Sequence, residues 1–381
     1  MEKEGNMRKI VIVSSLPKSL INFRGDLIKS FCHFGCDVIS CSNSANNEEI
    51  NKIETLGSRY ENIPIERSGL NPIKDLSTLL SLSFLFVKEG EFTLFCYTIK
   101  PIVWGGIAAR FAKVPSFYAM ITGLGYAFQK GGVAKNLLNT LVKFLYRSAL
   151  KKSKGVIFQN RDNMQVFIDE GIVPKEKCFL VNGSGVDLSH YSLSPLPSTP
   201  HFLLIARLLG DKGIREYAQA AKLVKQKYPE AVFELVGPED PSPDGIKLDE
   251  VQQWTESGAI KYSGSTTDVR PFIGSCSIYV LPSYHEGMPR TVLEAMAMGR
   301  PILTTDVPGC RETVVNGENG WLVEKANVEQ LAERMIWFIE NQEQWSVMGN
   351  KSHTMANEKF DVHKVNAEIL KVMGLSDEKT V

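Results

Sequence analysis

The sequence predicts an α/β protein made of two doubly wound, Rossmann-like domains, and three observations carry that reading. Short apolar, β-branched runs alternate with helical periods along the whole chain, the pattern of parallel strands joined by crossover helices. The 381 residues suffice for two domains of ordinary size. The proline- and serine-rich connector from Ser192 to Pro200 interrupts the alternation, after which strand, loop and helix start again. The expected domains are residues 1–188 and 189–355, with 356–381 as a separate C-terminal stretch.

In the first domain, Lys9 to Ser14 reads as a strand and Ser14 to Ser19 as the loop at its carboxyl end. A helix follows from about Asn22 to Phe34, with Phe23, Leu27, Ile28 and Phe31 on one face, and then a strand from Cys36 to Cys41. The loop lacks Gly-x-Gly-x-x-Gly, which excludes a dinucleotide fingerprint. Ligands of open parallel sheets gather at the carboxyl ends of strands, which puts Ser14 to Ser19 at an inter-domain cleft. Composition alone supports a structural turn there equally well. Leu76 to Val87 reads as a helix packed on the sheet, Thr93 to Tyr97 as a strand, and Lys100 to Arg110 as a helix whose small residues allow close packing. The strand Phe117 to Ile121 ends in Thr122-Gly123-Leu124-Gly125-Tyr126, where two glycines permit unusual backbone angles or the close approach of a ligand. A tight turn is the plain alternative. Lys135 to Lys154 is a basic amphipathic helix, its apolar face suited to a core and its cations to solvent or an anionic membrane. Strands at Gly155 to Asn160 and Cys178 to Asn182 bracket a helix from Asp162 to Glu170.

The second domain opens with the buried strand His201 to Ala206. The turn from Arg207 to Gly213 and the helix Ile214 to Lys227 follow. An arginine and a lysine five apart in a glycine-bearing loop can converge on one diphosphate, Arg207 by its fork and Lys212 as a point charge; solvated surface is the plain alternative. Val232 to Val236 leads into Gly237 and Pro238, and Ile260 to Tyr262 into the loop from Gly264 to Val269. The run Ser277 to Leu281, apolar on both faces, leads to a loop carrying Glu286, Gly287 and Met288. Pro289 suits the first position of the next helix, and Gly299 and Pro301 stop it. Val292, Ala295, Met296 and Gly299 face the sheet, leaving Glu286 at the helix mouth and Glu294 part-way along. Backbone N–H groups at such a helix start suit an anion. Either carboxylate could instead be a cap or a solvated surface group. A strand from Ile302 to Thr305, a loop from Asp306 to Glu312, a turn at Gly317 to Gly320 and helices from Val328 to Glu340 and Asp361 to Met373 complete the chain.

Composition excludes several classes. No apolar run reaches about 18 residues, so no membrane-spanning helix is expected. The charged start, with Met7 as an alternative initiator, is not a signal peptide. Seven scattered cysteines read as reduced core thiols of a cytoplasmic protein. Cys32 and Cys36 lack further ligands, and the histidines form no ligating pair, so neither a cofactor nor a protein-held metal is expected. Net charge is zero, but residues 1–190 hold 24 Lys/Arg against 17 Asp/Glu and the remainder reverses the sign. Anionic lipid or a lipid diphosphate is a candidate neighbour of the first half. Nucleic acid is not, because no dense basic patch is interleaved with aromatics.

The stretch Pro282 to Pro301, written P-S-x-x-E-G-x-P-x-x-x-L-E-A-x-A-x-G-x-P, closely resembles the nucleotide-sugar motif of the large GT-B family of retaining glycosyltransferases. Arg207-x-x-x-x-Lys212-Gly213 matches a second element of that family. Thr122-Gly-Leu-Gly125 and the region Ser14 to Arg24 are similar to bacterial members that extend undecaprenyl-diphosphate-linked sugars. The resemblance implies two domains facing across a cleft, with the final helix in 356–381 crossing back to the first. It implies that Arg207 and Lys212 stabilise a departing nucleoside diphosphate, that Glu286 binds the donor sugar and Glu294 the ribose. It places Gly287, Met288, Pro289, Gly264, Val269 and Pro238 around the donor, and Ser15, Leu16, Pro17, Arg24, Thr122, Gly123, Leu124 and Gly125 toward the acceptor. The cleft histidine common in the family has no counterpart in the Thr122–Gly125 neighbourhood, which leaves acceptor activation unassigned. The implied reaction moves a sugar, with GalNAc favoured, from a UDP-sugar to an undecaprenyl-diphosphate-linked saccharide at the inner face of the cell membrane during O-antigen, capsule or glycan assembly. A galactose or glucose donor, a nucleotide-sugar epimerase of the same fold and a catalytically inactive scaffold are the alternatives. Retention of Arg207, Lys212 and both glutamates argues against the scaffold.

Overall fold

The computed structural model describes residues 8–67, 69, 71–125, 128, 132–242 and 244–375. Met1 to Met7, including the alternative initiator, and Tyr126 of the glycine loop lie outside the described residues. The chain divides into two compact units, Met1–Ser184 with His363–Val381, and Gly185–Val362. The division falls at 184/185, where 188/189 was expected, and the C-terminal segment joins the first unit from His363 rather than from 356.

The first unit is a seven-stranded parallel sheet of β1 (Lys9–Val13), β2 (Asp37–Ser42), β3 (Ser58–Asn62), β4 (Thr93–Tyr97), β5 (Ser116–Ile121), β6 (Gly155–Phe158) and β7 (Cys178–Leu180), in the order β3-β2-β1-β4-β5-β6-β7. Alternate residues of β1 show why both faces must be covered. Val11 and Val13 enter a core roofed by helices Pro72–Glu89, Ile99–Phe111 and Val133–Leu150. Ile10 and Ile12 enter the opposite core, under helices Pro17–His33 and Val362–Val372.

The second unit repeats the design with β8 (His201–Ile205), β9 (Val232–Val236), β10 (Lys261–Tyr262), β11 (Ile278–Leu281), β12 (Ile302–Thr305) and β13 (Gly320–Val323), all parallel, in the order β10-β9-β8-β11-β12-β13. Phe202 and Leu204 pack under helices Ile214–Lys225 and Val328–Glu340, while Leu203 and Ile205 pack under Arg270–Ser275 and Arg290–Ala297. In both sheets the chain reverses direction of growth beside the first strand, β1 or β8. That is the switch point where doubly wound folds place ligands.

Several elements differ from the sequence reading. The first helix begins at Pro17, not near Asn22, because proline is at home in a first helical turn; the loop after β1 is correspondingly short. Pro289 is the extended residue before its helix, which starts at Arg290. Helix Asn47–Thr55 and the edge strand β3 carry too little apolar periodicity to be read, although the Asn46/Glu49 capping box marked the helix. Helices Leu248–Glu256, Arg270–Ser275 and Gln344–Met355 are likewise additions.

One buried carboxylate sets an acid limit on the second unit. Glu234 of β9 is 2% exposed and lies 2.9 Å from His201 Nε2 and 2.8 Å from Lys261 Nζ. Burial pushes its carboxyl up, but hydrogen bonds from His201, Lys261 and Ser263 outweigh that and hold it at about 2. A depressed folded-state pKa gives stability that is present above about 4.5 and is lost as pH falls toward 2. Glu234→Gln is therefore expected to cost up to about 3 kcal/mol at pH 7 and little at pH 2. Urea midpoints of both proteins at the two pH values check this; an equal gap at both would refute it.

Candidate active site

Backbone hydrogen bonds draw the loops at the carboxyl edge of the second sheet into one group. Leu208 N–H donates to Pro238 O (2.9 Å) and Gly237 N–H to Gly264 O (2.8 Å), which joins the loops after β8, β9 and β10. Tyr284 N–H donates to Asp211 O (2.8 Å) and Glu286 N–H to Pro308 O (3.1 Å), which ties the loops after β8, β11 and β12. Two glycines make this approach possible. A Cβ on Gly213, at φ +68°, would stand 2.0 Å from Pro282 O, and one on Gly309, at φ +84°, would stand 2.6 Å from Glu286 O.

This scaffold brings Lys212 to Glu286 across 74 residues of sequence. Lys212 Nζ donates to Glu286 Oε1 at 2.7 Å, with each side chain 16% exposed. Ser283 Oγ donates to the same oxygen at 2.8 Å. Burial pulls the Lys212 ammonium down, but the Glu286 charge and hydrogen bond outweigh it and leave it above its ordinary value. The site therefore holds a permanent cation. Arg207 donates to Asp240, and its side chain is 41% exposed. Burial raises the Asp240 carboxyl, but hydrogen bonds from Ser242 and the Arg207 charge bring it below its usual range. Both basic groups are thus held by carboxylates, one at each end of the Arg207–Gly213 turn.

Glu294 lies one turn into helix Arg290–Ala297 and is 5% exposed. Arg290 Nε donates to Glu294 Oε1 at 2.9 Å, and the Tyr191 hydroxyl bonds the same carboxylate. Burial raises its pKa and the Arg290 charge opposes the rise. Met288 and Val269 pack partly buried on the core beneath that helix. Gly264 takes φ +70° with open space where a Cβ would stand. All the residues expected around a donor thus fall on one edge of one sheet. Asp240, Ser283 and Tyr191 join them. Ser283 was legible in the P-S-x-x-E spacing; Asp240 and Tyr191 carried no signal.

The expected acceptor residues sit in the first unit at the carboxyl ends of β1 and β5, which flank β4. Ser14 Oγ accepts from Leu16 N–H at 3.3 Å, fixing the turn that carries Ser15, Leu16 and Pro17. Thr122 to Gly125 leave β5 with Gly125 at φ +64°, its Cα facing Ile99. Arg24 does not line that edge as an exposed cation. It is 2% exposed, stacks 4.9 Å from the Tyr97 ring centroid, and donates to Ser184 Oγ (3.1 Å) and Met120 Sδ (2.8 Å). Between these loops, Thr98 follows β4 at φ +67°, a conformation costing a threonine on the order of 1–3 kcal/mol. Its buried Oγ1 has no hydrogen-bond partner among the described residues. Strain and an unsatisfied hydroxyl at a sheet's ligand edge mark Thr98 as a site candidate that no sequence signal announced.

Comparison with known proteins agrees with the fold and with the family resemblance. A family model described as glycosyl transferases group 1 matches residues 199–341, and one described as glycosyl transferase 4-like matches residues 26–160. Among relatives, the N,N'-diacetylbacillosaminyl-diphospho-undecaprenol alpha-1,3-N-acetylgalactosaminyltransferase of Campylobacter jejuni is 28% identical over 88% of this chain and 90% of its own. The UDP-Gal:alpha-D-GlcNAc-diphosphoundecaprenol alpha-1,3-galactosyltransferase of Escherichia coli is 25% identical over 72% of this chain and 73% of its own. Among solved structures, Anabaena HepE in complex with UDP-glucose superposes with a TM-score of 0.78 at 19% identity, covering 96% of this chain and 99% of that one. A glycosyltransferase from Rickettsia africae gives 0.78 at 18% identity, over 98% and 100%.

Proposed function

We infer the function of this chain from the family to which it belongs, the group 1 glycosyltransferases of GT-B fold: it transfers a sugar, with N-acetylgalactosamine the favoured one, from a UDP-sugar to an undecaprenyl-diphosphate-linked saccharide. The single observation that carries the chemistry is the Lys212–Glu286 pair, held at 2.7 Å by two loops that Gly213 and Gly309 allow to touch. Departure of UDP builds negative charge on its terminal phosphate, and Lys212, Arg207 and the N–H groups before helix Arg290–Ala297 supply the positive field. These cations take the place of a protein-held metal. Glu286 accepts hydrogen bonds from the donor sugar and Glu294 from the ribose.

The reaction retains anomeric configuration. The acceptor hydroxyl forms its bond to the anomeric carbon on the side from which the phosphate oxygen leaves, and its proton passes to that oxygen. No carboxylate nucleophile is required, which separates this chemistry from the paired-carboxylate logic of retaining glycosidases. The acceptor is bound by the loops after β1 and β5, with Thr98 between them. The work takes place at the cytoplasmic face of the membrane that holds the lipid carrier, in surface polysaccharide or glycan assembly.

Galactose is the second donor reading, favoured by the likeness to the Escherichia coli galactosyltransferase. A screen of UDP-sugars with purified protein and an undecaprenyl-diphosphate-linked N-acetylhexosamine decides between them. Lipid-linked disaccharide from one donor, unaffected by EDTA and lost in Glu286→Ala, is the expected result. Product only with added divalent cation would overturn the metal-free mechanism. Release of UDP with epimerised free sugar and no acceptor would favour an epimerase. Tight UDP binding with no turnover of any donor would refute this reading as stated.

A further inference from the structure

The helical layer on one face of the first sheet carries two apolar stripes that the protein itself does not cover. Helices Pro72–Glu89, Ile99–Phe111 and Val133–Leu150 roof a single core, so their core-facing residues fix which way their other faces point. On the first helix, Thr78, Leu82, Leu85 and Phe86 are buried. On its other side Ile73, Leu76, Leu80, Phe84 and Val87 recur at i, i+3, i+7, i+11 and i+14, exposed by 54–81%. The sequence reading packs Leu76 to Val87 on the sheet; the helix also has a second apolar face turned outward. On the third helix, Val142 and Tyr146 are buried, whereas Val133, Leu137, Leu141 and Phe144 recur at i, i+4, i+8 and i+11, exposed by 45–87%. The middle helix is recessed: a Cβ on Gly106 would stand 2.8 Å from Ala149 O, and it ends in Phe111, 72% exposed. Ten of the eighteen large apolar side chains exposed among the described residues lie on these three helices. Singly scattered exposed apolar residues are ordinary, but stripes at helical period in one layer form a contact surface.

Charge identifies the partner. The three helices hold seven Lys/Arg and two acids. Neither acid faces outward: Asp75 is buried against Lys100 at 2.7 Å, and Glu89, 6% exposed, pairs with Lys9 and Arg59. Lys74, Lys88, Arg110 and Arg147 are exposed along the layer, followed by Lys151 and Lys152. At one end Arg110, Lys113 and Lys152 rim a cavity of about 180 Å3 floored by Gly106, Phe117 and Ala149. Apolar stripes flanked by cations, with no exposed acid on the three helices, match a surface of acyl chains beneath anionic headgroups. No helix among the described residues is long and apolar enough to cross a membrane.

We propose that this face of the first unit docks on an anionic lipid bilayer, the stripes of helices Pro72–Glu89 and Val133–Leu150 entering the acyl boundary and the Arg110–Lys113–Lys152 cavity receiving a lipid phosphate. The biological purpose rests on the lipid-linked-acceptor reading, but docking itself needs neither donor nor acceptor and is tested without them. The full chain is sedimented with vesicles of phosphatidylcholine alone and with 30% phosphatidylglycerol, none containing lipid-linked sugar. Expected are binding to the anionic vesicles, weakened at least tenfold by 0.5 M salt, and at least tenfold weaker binding of L80S/F84S/L137S/F144S with its melting temperature kept. K113E/K152E is expected to lose anionic selectivity and retain the fold. Three results would each overturn docking: wild type failing to sediment, wild type binding both vesicles equally, or the serine variant binding like wild type. A concentration-dependent dimer abolished by the serine substitutions, with no vesicle binding, would assign the face to a second copy instead.

Discussion

Lys212→Ala is expected to lower kcat/KM by about 10²–10³-fold, the scale on which enzymes lose activity when one preorganised charge at a developing anion is removed. The expectation rests on where the ammonium is held. At 16% exposure and 2.7 Å from Glu286, it cannot be replaced by a mobile surface lysine, and burial has not discharged it. Removing it leaves the Ser283 hydroxyl, a neutral donor, on the oxygen that Lys212 now binds. The Glu286 carboxylate then loses this ionic contact at the place where the proposed mechanism orients the donor sugar. Glu286→Ala should cost a similar factor, and K212A/E286A should be little worse than either single variant, because the two groups act as one unit. Arg207→Ala should cost less, since its guanidinium is 41% exposed and bound to Asp240. Initial rates at saturating acceptor, with UDP affinity measured by calorimetry, check this. A Lys212→Ala enzyme within threefold of wild type, or a double variant whose loss is the product of the single losses, would remove the pair from the chemistry.

The strand framework was legible because parallel strands buried on both faces leave a strong mark in sequence. Thr93–Tyr97, Val232–Val236 and Ile302–Thr305 have the bounds that their apolar runs predict. The edge strand Ser58–Asn62 left none, because Ser-Arg-Tyr-Glu-Asn contains no aliphatic side chain and gains its order from pairing with Asp37–Ser42. Lys212 and Glu286 were each legible from local motifs, but their contact was not; it depends on Gly213 and Gly309 admitting two neighbouring loops. Arg24 was named only by the family resemblance; its burial against Tyr97, Met120 and Ser184 left no sequence signal. Thr98 could not be found from sequence at all, since a strained backbone angle at a threonine has no compositional signature.

Gly213→Ala should damage both stability and the proposed catalysis with a single methyl, because that position sits between the loops that carry Lys212 and Glu286. Gly213 closes the turn Gly210–Lys212 and opens helix Ile214–Lys225 at φ +68°, ψ 26°. The left-handed conformation alone costs alanine about 1–2 kcal/mol. Gly258→Ala measures that cost separately, as its φ is +73° and nothing lies within 4 Å of the new Cβ. At Gly213 the same methyl meets Pro282 O at 2.0 Å and Pro282 C at 2.8 Å, both backbone atoms. One loop must retreat, yet the Tyr284 N–H bond to Asp211 O, at 2.8 Å, holds them together. The retreat therefore strains the loops that carry Lys212 and Glu286. Chemical denaturation should show Gly213→Ala losing about 2–4 kcal/mol, against about 1–2 kcal/mol for Gly258→Ala. At a temperature where both variants are fully folded, only the first should lose activity, and by a factor approaching that of Lys212→Ala. Equal stability losses would show that the Pro282 loop yields freely. Full activity in folded Gly213→Ala would show that catalysis does not depend on the spacing between the Lys212 and Glu286 loops.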